Sequence, residues 1–148
     1  MRILGLDYGD VRMGFAISDS TGTIAMPLCV VDLRQSGKPE DEVKRICIEN
    51  NAKKLVVGLP LNMNGSSGPM AKKIDAFISI LKANIEIPIE KMDERLSTSL
   101  VERVLIQSDM SRAKRKRVRD KLAAQVILQG YLDMNNIRVD QSSVDEQV

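Results

Sequence analysis

The sequence predicts the α/β class: one mixed five-stranded sheet with helices packed on it. Three observations carry this. The first third is a run of short apolar segments separated by turn signals, which makes an antiparallel meander. From residue 40 onward the apolar spacing alternates between helical and strand-like, and a strand–helix–strand order implies a crossover and parallel pairing. The chain has 148 residues, 43% hydrophobic and 28% charged, enough for one core of ordinary size in one domain.

Arg2–Asp7 is the first predicted strand, an apolar run that ends on a lone carboxylate. An ionised carboxylate loses its hydration on burial. An Asp closing a core strand therefore lies at a solvated strand end or is held for a cation. Tyr8–Arg12 is the expected hairpin loop and Met13–Ser18 the second strand. Thr21-Gly22 signals the next turn, and Thr23–Val31 the third strand. Gly5 and Gly14, inside strands, are expected to permit close packing.

After the polar break at Gln35–Pro39, Glu40–Asn51 places Val43, Ile46 and Cys47 at helical spacing. Glu40, Asp41 and Glu42 fall in its first turn, where the helix dipole favours anions. Lys54–Val57 is a short buried fourth strand, and Gly58–Gly68 a polar loop. Pro69 suits the first position of a helix to Ala83, with Met70, Ile74, Phe77, Ile78 and Leu81 on one face. Ile85–Met92 is the fifth strand, and Pro88 within it argues for a sheet edge. A further helix, with Ser99 and Glu102 at the spacing of a capping box, ends near Gln107. Asp109–Arg117 is a basic connection, and Val118–Met134 the last helix, with Asp120, Ala124, Ile127 and Tyr131 along one face. The single domain spans 1–137. The polar tail at 138–148 is expected to be disordered.

Composition removes several function classes. There is no His, which excludes Ser-His-Asp and Cys-His nucleophile systems and His-ligated metals. Cys29 and Cys47 sit in apolar stretches and read as buried free thiols of a reducing cytosol, with neither a disulfide framework nor a zinc site. No apolar run approaches the ~20 residues of a membrane span, and no secretory signal is recognised, so a cytoplasmic location is expected. An enzyme of this composition works with carboxylates and a hard, oxygen-loving cation such as Mg²⁺. The net charge of +2 hides an asymmetry: Arg112–Lys121 holds seven Lys/Arg and one acid, and the rest of the chain is net negative. Such a concentration points to a polyanion partner, against the alternative of a solvated charged face.

Three carboxylate positions converge. Asp7 ends the first strand and Asp93-Glu94 the fifth, so parallel pairing of the first, fourth and fifth strands puts them on one sheet edge. Asp120 lies in the first turn of the last helix, whose small Ala123 and Ala124 let it approach the sheet and aim Asp120 at Asp7. Clustered carboxylates raise one another's pKa unless a divalent cation neutralises them. Parity puts Asp93 and Glu94 on opposite faces and leaves open which of them is the ligand.

Leu6-Asp7-Tyr8-Gly9, Val56-Val57-Gly58-Leu59-Pro60 with Asn62-Met63-Asn64-Gly65-Ser66, Asp93-Glu94-Arg95-Leu96-Ser97-Thr98, and Arg115-Lys116-Arg117-Val118-Arg119-Asp120-Lys121-Leu122-Ala123-Ala124 resemble, in order, the motifs of the YqgF/RuvX family. Its members are Holliday junction resolvases, also described as pre-16S rRNA nucleases, and the resemblance spans residues 1–134. It implies a ribonuclease H-like fold with sheet order 3-2-1-4-5, helices on both faces, and a nuclease using Mg²⁺ or Mn²⁺, two ions in all. It places the family's acids on Asp7, Asp93/Glu94 and Asp120, with Asp7, Glu94 and Asp120 as metal ligands. Arg12, Asn62, Asn64, Arg95, Arg112, Lys114, Arg115, Lys116, Arg117 and Arg119 are the implied nucleic-acid contacts. One departure stands out: the family usually has Thr or Ser and then Lys after Asp-x-Gly, where this chain has Asp10 and Val11. An extra acid there either weakens phosphate approach or adds an outer-shell ligand. The implied substrate is precursor rRNA or branched DNA. The alternative is a non-catalytic nucleic-acid or ribosome-associated binding protein that keeps the fold. A phosphotransferase of the sugar-kinase type needs a second closing domain, for which 148 residues leave no room. The sequence is silent on oligomeric state.

Overall fold

A computed structural model describes residues 1–60, 68–93, 111 and 122–135. Five strands, β1 (Ile3–Tyr8), β2 (Arg12–Ser18), β3 (Ala25–Asp32), β4 (Lys54–Leu59) and β5 (Ile89–Asp93), form one sheet. Helices α1 (Pro39–Glu49) and α2 (Pro69–Asn84) separate the later strands, and a C-terminal helix covers 122–135. The strand order is β3-β2-β1-β4-β5. The β1–β2 and β2–β3 pairs are antiparallel, and the β1–β4 and β4–β5 pairs parallel. This is the mixed sheet of the expected ribonuclease H-like topology. A short turn can join antiparallel neighbours, whereas each parallel pair needs a crossover, and α1 and α2 supply the two.

Strand alternation divides the core. Leu4, Leu6, Leu55 and Val57 project to one face and cluster with Val43, Ile46, Ile74, Phe77 and Leu81 of α1 and α2. Ile3 and Val56 project to the other and cluster with Ala124, Ile127, Leu128 and Leu132 of the C-terminal helix. Gly5 belongs to this second face. A Cβ built on it would lie 2.8 Å from Leu128 Cβ and 3.0 Å from the Ala124 carbonyl oxygen, so glycine is what lets the helix seat. Both cores cover the central strands, which is why β1 and β4 are almost continuously apolar.

The C-terminal helix is also fastened by polar contacts. Gln129 Oε1 accepts the Ala25 N–H at 2.8 Å, and Gln129 Nε2 donates to the Thr23 carbonyl at 2.9 Å. Gln125 Nε2 donates to the Ala25 carbonyl at 3.1 Å. Lys54 Nζ donates to the Tyr131 hydroxyl at 2.9 Å. Each such bond contributes about 1 kcal/mol net, and together they fix the helix along its axis.

Element boundaries differ from expectation for identifiable reasons. β5 begins at Ile89, not Ile85. Ile85 caps α2, its N–H bonded to the Leu81 carbonyl at 2.8 Å, and Pro88 has no N–H to give the ladder, although its carbonyl accepts from Leu55 at 2.9 Å. The apolar residues Ile85 and Ile87 pack on the core from a connection, so their hydrophobicity imitated a strand. β3 begins at Ala25, not Thr23, because Asp19 claims the preceding turn. Its carboxylate accepts the N–H groups of Thr23 and Ile24 at 2.9 and 3.1 Å and the Thr21 hydroxyl at 2.6 Å, which holds its pKa down at about 2. α1 starts one residue early on Pro39 and stops before Asn51, whose φ of 54° leaves the right-handed helix. The helix expected to end near Gln107, the basic connection and the 138–148 tail lie outside the described residues.

Cys29 corrects one expectation. It is exposed on the edge strand β3, and Cys47 of α1 is buried, where desolvation pushes its thiol up to about 11. The apolar neighbours of Cys29 are exposed with it, Met26 at 45% and Val30 at 52%, because β3 has a sheet partner on one side only. A thiol reagent is expected to modify one equivalent at Cys29 in the native protein, slowed by the desolvation that raises its pKa, with Cys47 reacting only on unfolding, as peptide mapping would show. Equal rates at the two positions would contradict these environments.

Candidate active site

The site is built on the last residues of β1. Leu6 pairs with Val57 of β4, and Asp7 pairs with Gly14 of β2. One step along the parallel register brings Asp7 beside Gly58, which in turn pairs with Met92 of β5. Asp7 is half-buried and has glycine on both flanking strands. Gly14 and Gly58 therefore place no side chain of their own beside Asp7 on its face of the sheet.

Asp7 shares its face with Ile3 and Gly5, the face covered by the C-terminal helix. Ala124 and Leu128 lie over Gly5, and Tyr131 reaches Lys54, the ladder partner of Ile3. The helix thus runs opposite to β1, and the first of its described residues, 122, lies toward Asp7. Asp120 is two residues upstream in the sequence.

Asp93 is placed differently. Lys91 is ion-paired with Asp75 of α2 at 2.8 Å, whereas Glu90 pairs at 3.2 Å with Lys54, the partner of Tyr131. Met92 belongs to the core of the C-terminal helix. The alternation therefore turns Asp93 toward the α2 face. Asp7 and Asp93 end parallel strands at one edge of the sheet, but on opposite faces.

The departure at Asp10 has a structural counterpart. Asp10 and Val11 form the exposed tip of the β1–β2 hairpin, closed by the Gly9 N–H to Arg12 carbonyl bond at 3.0 Å. Asp10 Oδ1 accepts from Lys73 Nζ of α2 at 3.2 Å. One turn further along α2, Phe77 stacks on Tyr8 with ring centroids 4.3 Å apart. The hairpin is thus held to α2 by a ring pair and an ion pair. Arg12, exposed at the start of β2, faces Asp32 across the β2–β3 ladder. Asp32 has its pKa lowered to about 2, chiefly by the hydrogen bonds of Arg34.

Asn62, Asn64, Glu94, Arg95, Arg112, Lys114, Arg115, Lys116, Arg117, Arg119 and Asp120 lie outside the described residues. Among the described residues, no three His, Cys, Asp or Glu gather as metal ligands. The donor chemistry at Asp7 nevertheless suits a hard divalent cation: an oxygen-donor carboxylate near a strand end, with glycine on the flanking strands. Sequence reasoning missed two participants. Gly58 was assigned to a loop, although it lies in β4 beside Asp7. Lys73 went unnoticed, although Lys72-Lys73 near a helix start with no acid in the first turn opposes the dipole and was a usable signal.

The sheet order, with helices on both faces, gives the protein a ribonuclease H-like fold. Within that fold class the chain belongs to the RuvX family, described as Holliday junction resolvase, which matches residues 1–134. It is 48% identical over 133 residues to a Desulforamulus reducens protein, covering 90% of this chain and 97% of the relative. It is 50% identical over 134 residues to one from Thermoanaerobacter pseudethanolicus, covering 90% and 96%. Both relatives bear the name "Putative pre-16S rRNA nuclease". Of solved structures, the Fowlpox virus resolvase with Holliday junction DNA aligns over 94% of this chain and 98% of that one, at 17% identity and a TM-score of 0.49. Family and relatives together make this protein a nuclease. No helix among the described residues is long and apolar enough to cross a membrane.

Proposed function

We propose that the protein hydrolyses phosphodiester bonds of structured nucleic acid, with the 5′ end of pre-16S rRNA as its substrate, in a reaction dependent on Mg²⁺ or Mn²⁺. The observation that carries this reading is the placement of Asp7. It closes the central strand between two glycines, on the face toward which the C-terminal helix begins. The relatives' name favours rRNA, and the family description favours a four-way DNA junction as the second reading.

In this reading Asp7 and Asp120 hold the metal ions. We assign the third ligand to Glu94 rather than Asp93, because Asp93 sits on the α2 face, opposite to that of Asp7. When bound, the ions supply a lowered pKa for the attacking water and charge stabilisation at the leaving oxygen. Glycine at 14 and 58 keeps side chains of the flanking strands away from the scissile backbone beside Asp7. Arg12, Arg95 and the cations of Arg112–Arg119 orient the nucleic acid by its phosphates, together with Asn62 and Asn64. Four aromatic residues in the whole chain, Phe15, Phe77, Tyr8 and Tyr131, make base stacking a minor contributor. We place the activity in the cytoplasm, where precursor rRNA of bacteria is matured.

A cleavage assay with Mg²⁺ or Mn²⁺, run on precursor rRNA and on a four-way junction side by side, tests this. Wild type and Asp93→Asn are expected to cut the rRNA, and Glu94→Gln to lose cleavage. Cutting of the junction alone would transfer the assignment to the second reading. An inactive Asp93→Asn beside an active Glu94→Gln would reverse the ligand choice. Absence of cleavage on both substrates with metal present would overturn the proposal.

A further inference from the structure

We propose that Lys73 of α2 is a phosphate contact of the substrate, and that Asp10 is its internal competitor, a carboxylate that occupies the lysine until a nucleic-acid backbone displaces it. The inference rests on the nuclease reading above and deepens it.

The pair joins two parts of the chain 63 residues apart. Asp10 follows Asp7 by three residues, so chain length keeps their Cα atoms within ~11 Å. Lys73 therefore stands at the sheet edge on which Asp7 lies. Both partners are largely in solvent, Lys73 at 60% and Asp10 at 64%, with 3.2 Å between Nζ and Oδ1. An exposed pair of this kind is weak and easily exchanged, which suits a contact that must be surrendered. A buried pair would resist exchange.

The charges around it point the same way. The first turn of α2 has no acid, and Lys72 and Lys73 follow it, so cations stand close to a helix end that is already positive. Asp75, the next acid along α2, is engaged with Lys91 at 2.8 Å. Arg12 rises from the other arm of the same hairpin, exposed. Replacing Asp10 by a neutral residue leaves Lys72, Lys73 and Arg12 with less compensating charge at the edge where Asp7 sits. A phosphate offers Lys73 what Asp10 offers, an anionic oxygen, and adds the release of a counterion. Asp10 also does not share Asp7's face through the ladder: it lies beyond the strand, drawn toward α2, where a carboxylate serves Lys73 better than a metal.

The two partners should therefore act with opposite sign, which no purely structural pair does. Affinity is measured by fluorescence anisotropy, without divalent ions, for a labelled four-way DNA junction and for a labelled pre-16S rRNA 5′ fragment. Asp10→Asn is expected to tighten binding to both by about two- to fivefold at low salt. Lys73→Ala is expected to weaken it and to flatten the log–log salt slope by about 0.7 to 0.9. In the double variant the gain from Asp10→Asn should vanish, because its beneficiary is gone. If both single variants weaken binding, or neither changes it, the inference is overturned. An unchanged affinity with a raised Mn²⁺ requirement for cleavage in Asp10→Asn would overturn it in favour of a metal role. Failure of wild type to bind either probe rejects the nuclease reading as well, whereas same-sign variants of a protein that binds and cuts reject this inference alone.

Discussion

Asp7→Asn is expected to lower cleavage by more than about 100-fold while leaving the fold and nucleic-acid binding in place. Loss of groups that merely support a metal ligand costs 10–100-fold, and loss of a ligand itself should exceed that. Asn is nearly isosteric with Asp, and the backbone of residue 7 remains paired with Gly14, so the strand has no reason to move. The melting temperature should therefore change little. Binding should persist, because phosphate contacts are assigned to cations on other segments. Gel-based cleavage, anisotropy and a thermal melt on the same preparation check all three. A folded variant that cuts at the wild-type rate would remove Asp7 from the chemistry.

Gly5→Val should be the most damaging change away from the acids. β-branched residues favour strands, so local propensity alone predicts a mild gain. Packing predicts the reverse. The first added carbon would lie 2.8 Å from Leu128 Cβ and 3.0 Å from the Ala124 carbonyl oxygen, and the latter is backbone that cannot rotate away. Overpacking of this kind costs about 1–3 kcal/mol. The relief available is to move the C-terminal helix outward, against the Gln125, Gln129 and Tyr131 bonds that fasten it. Because this helix begins on Asp7's side, cleavage should fall further than stability does, even at temperatures where the variant is folded. Gly5→Ala should show the same pattern at smaller size. A Gly5→Val protein with wild-type melting and activity would show that the helix is not closely seated there.

These two expectations draw on information of different kinds. The acid at position 7 is visible in the chain, since an Asp ending an apolar run is conspicuous and the lack of any His leaves few other chemistries. The close seat at Gly5 was expected only in outline, because glycine in a strand announces a near approach without saying of what. Leu128 and Ala124 are its partners, more than 100 residues away, and no local pattern names them. The misjudged start of β5 has the same origin. Ile85 and Ile87 are apolar because they cover the core from a connection, and hydrophobicity does not distinguish that from membership of a sheet. Cys29 looked buried for the converse reason: its neighbours are apolar, but β3 is an edge.

The sequence by itself determined the order of the described elements, the buried character of β1 and β4, and the acids available for chemistry. These follow from local rules, the 2.0 and 3.6 residue periods, the turn residues and the composition. Tertiary structure decided what stands beside each acid. Register across the β1–β4 crossover put Gly58 next to Asp7, and alternation along β5, anchored by Lys91 on Asp75 and Met92 in the second core, turned Asp93 away. The approach of α2 gave Asp10 to Lys73. Each of these depends on how segments distant along the chain slide into register, which is set by the packing of whole faces. A one-residue slip would exchange every side chain on a strand from one face to the other, and no short stretch of sequence records which alternative the packed core selects.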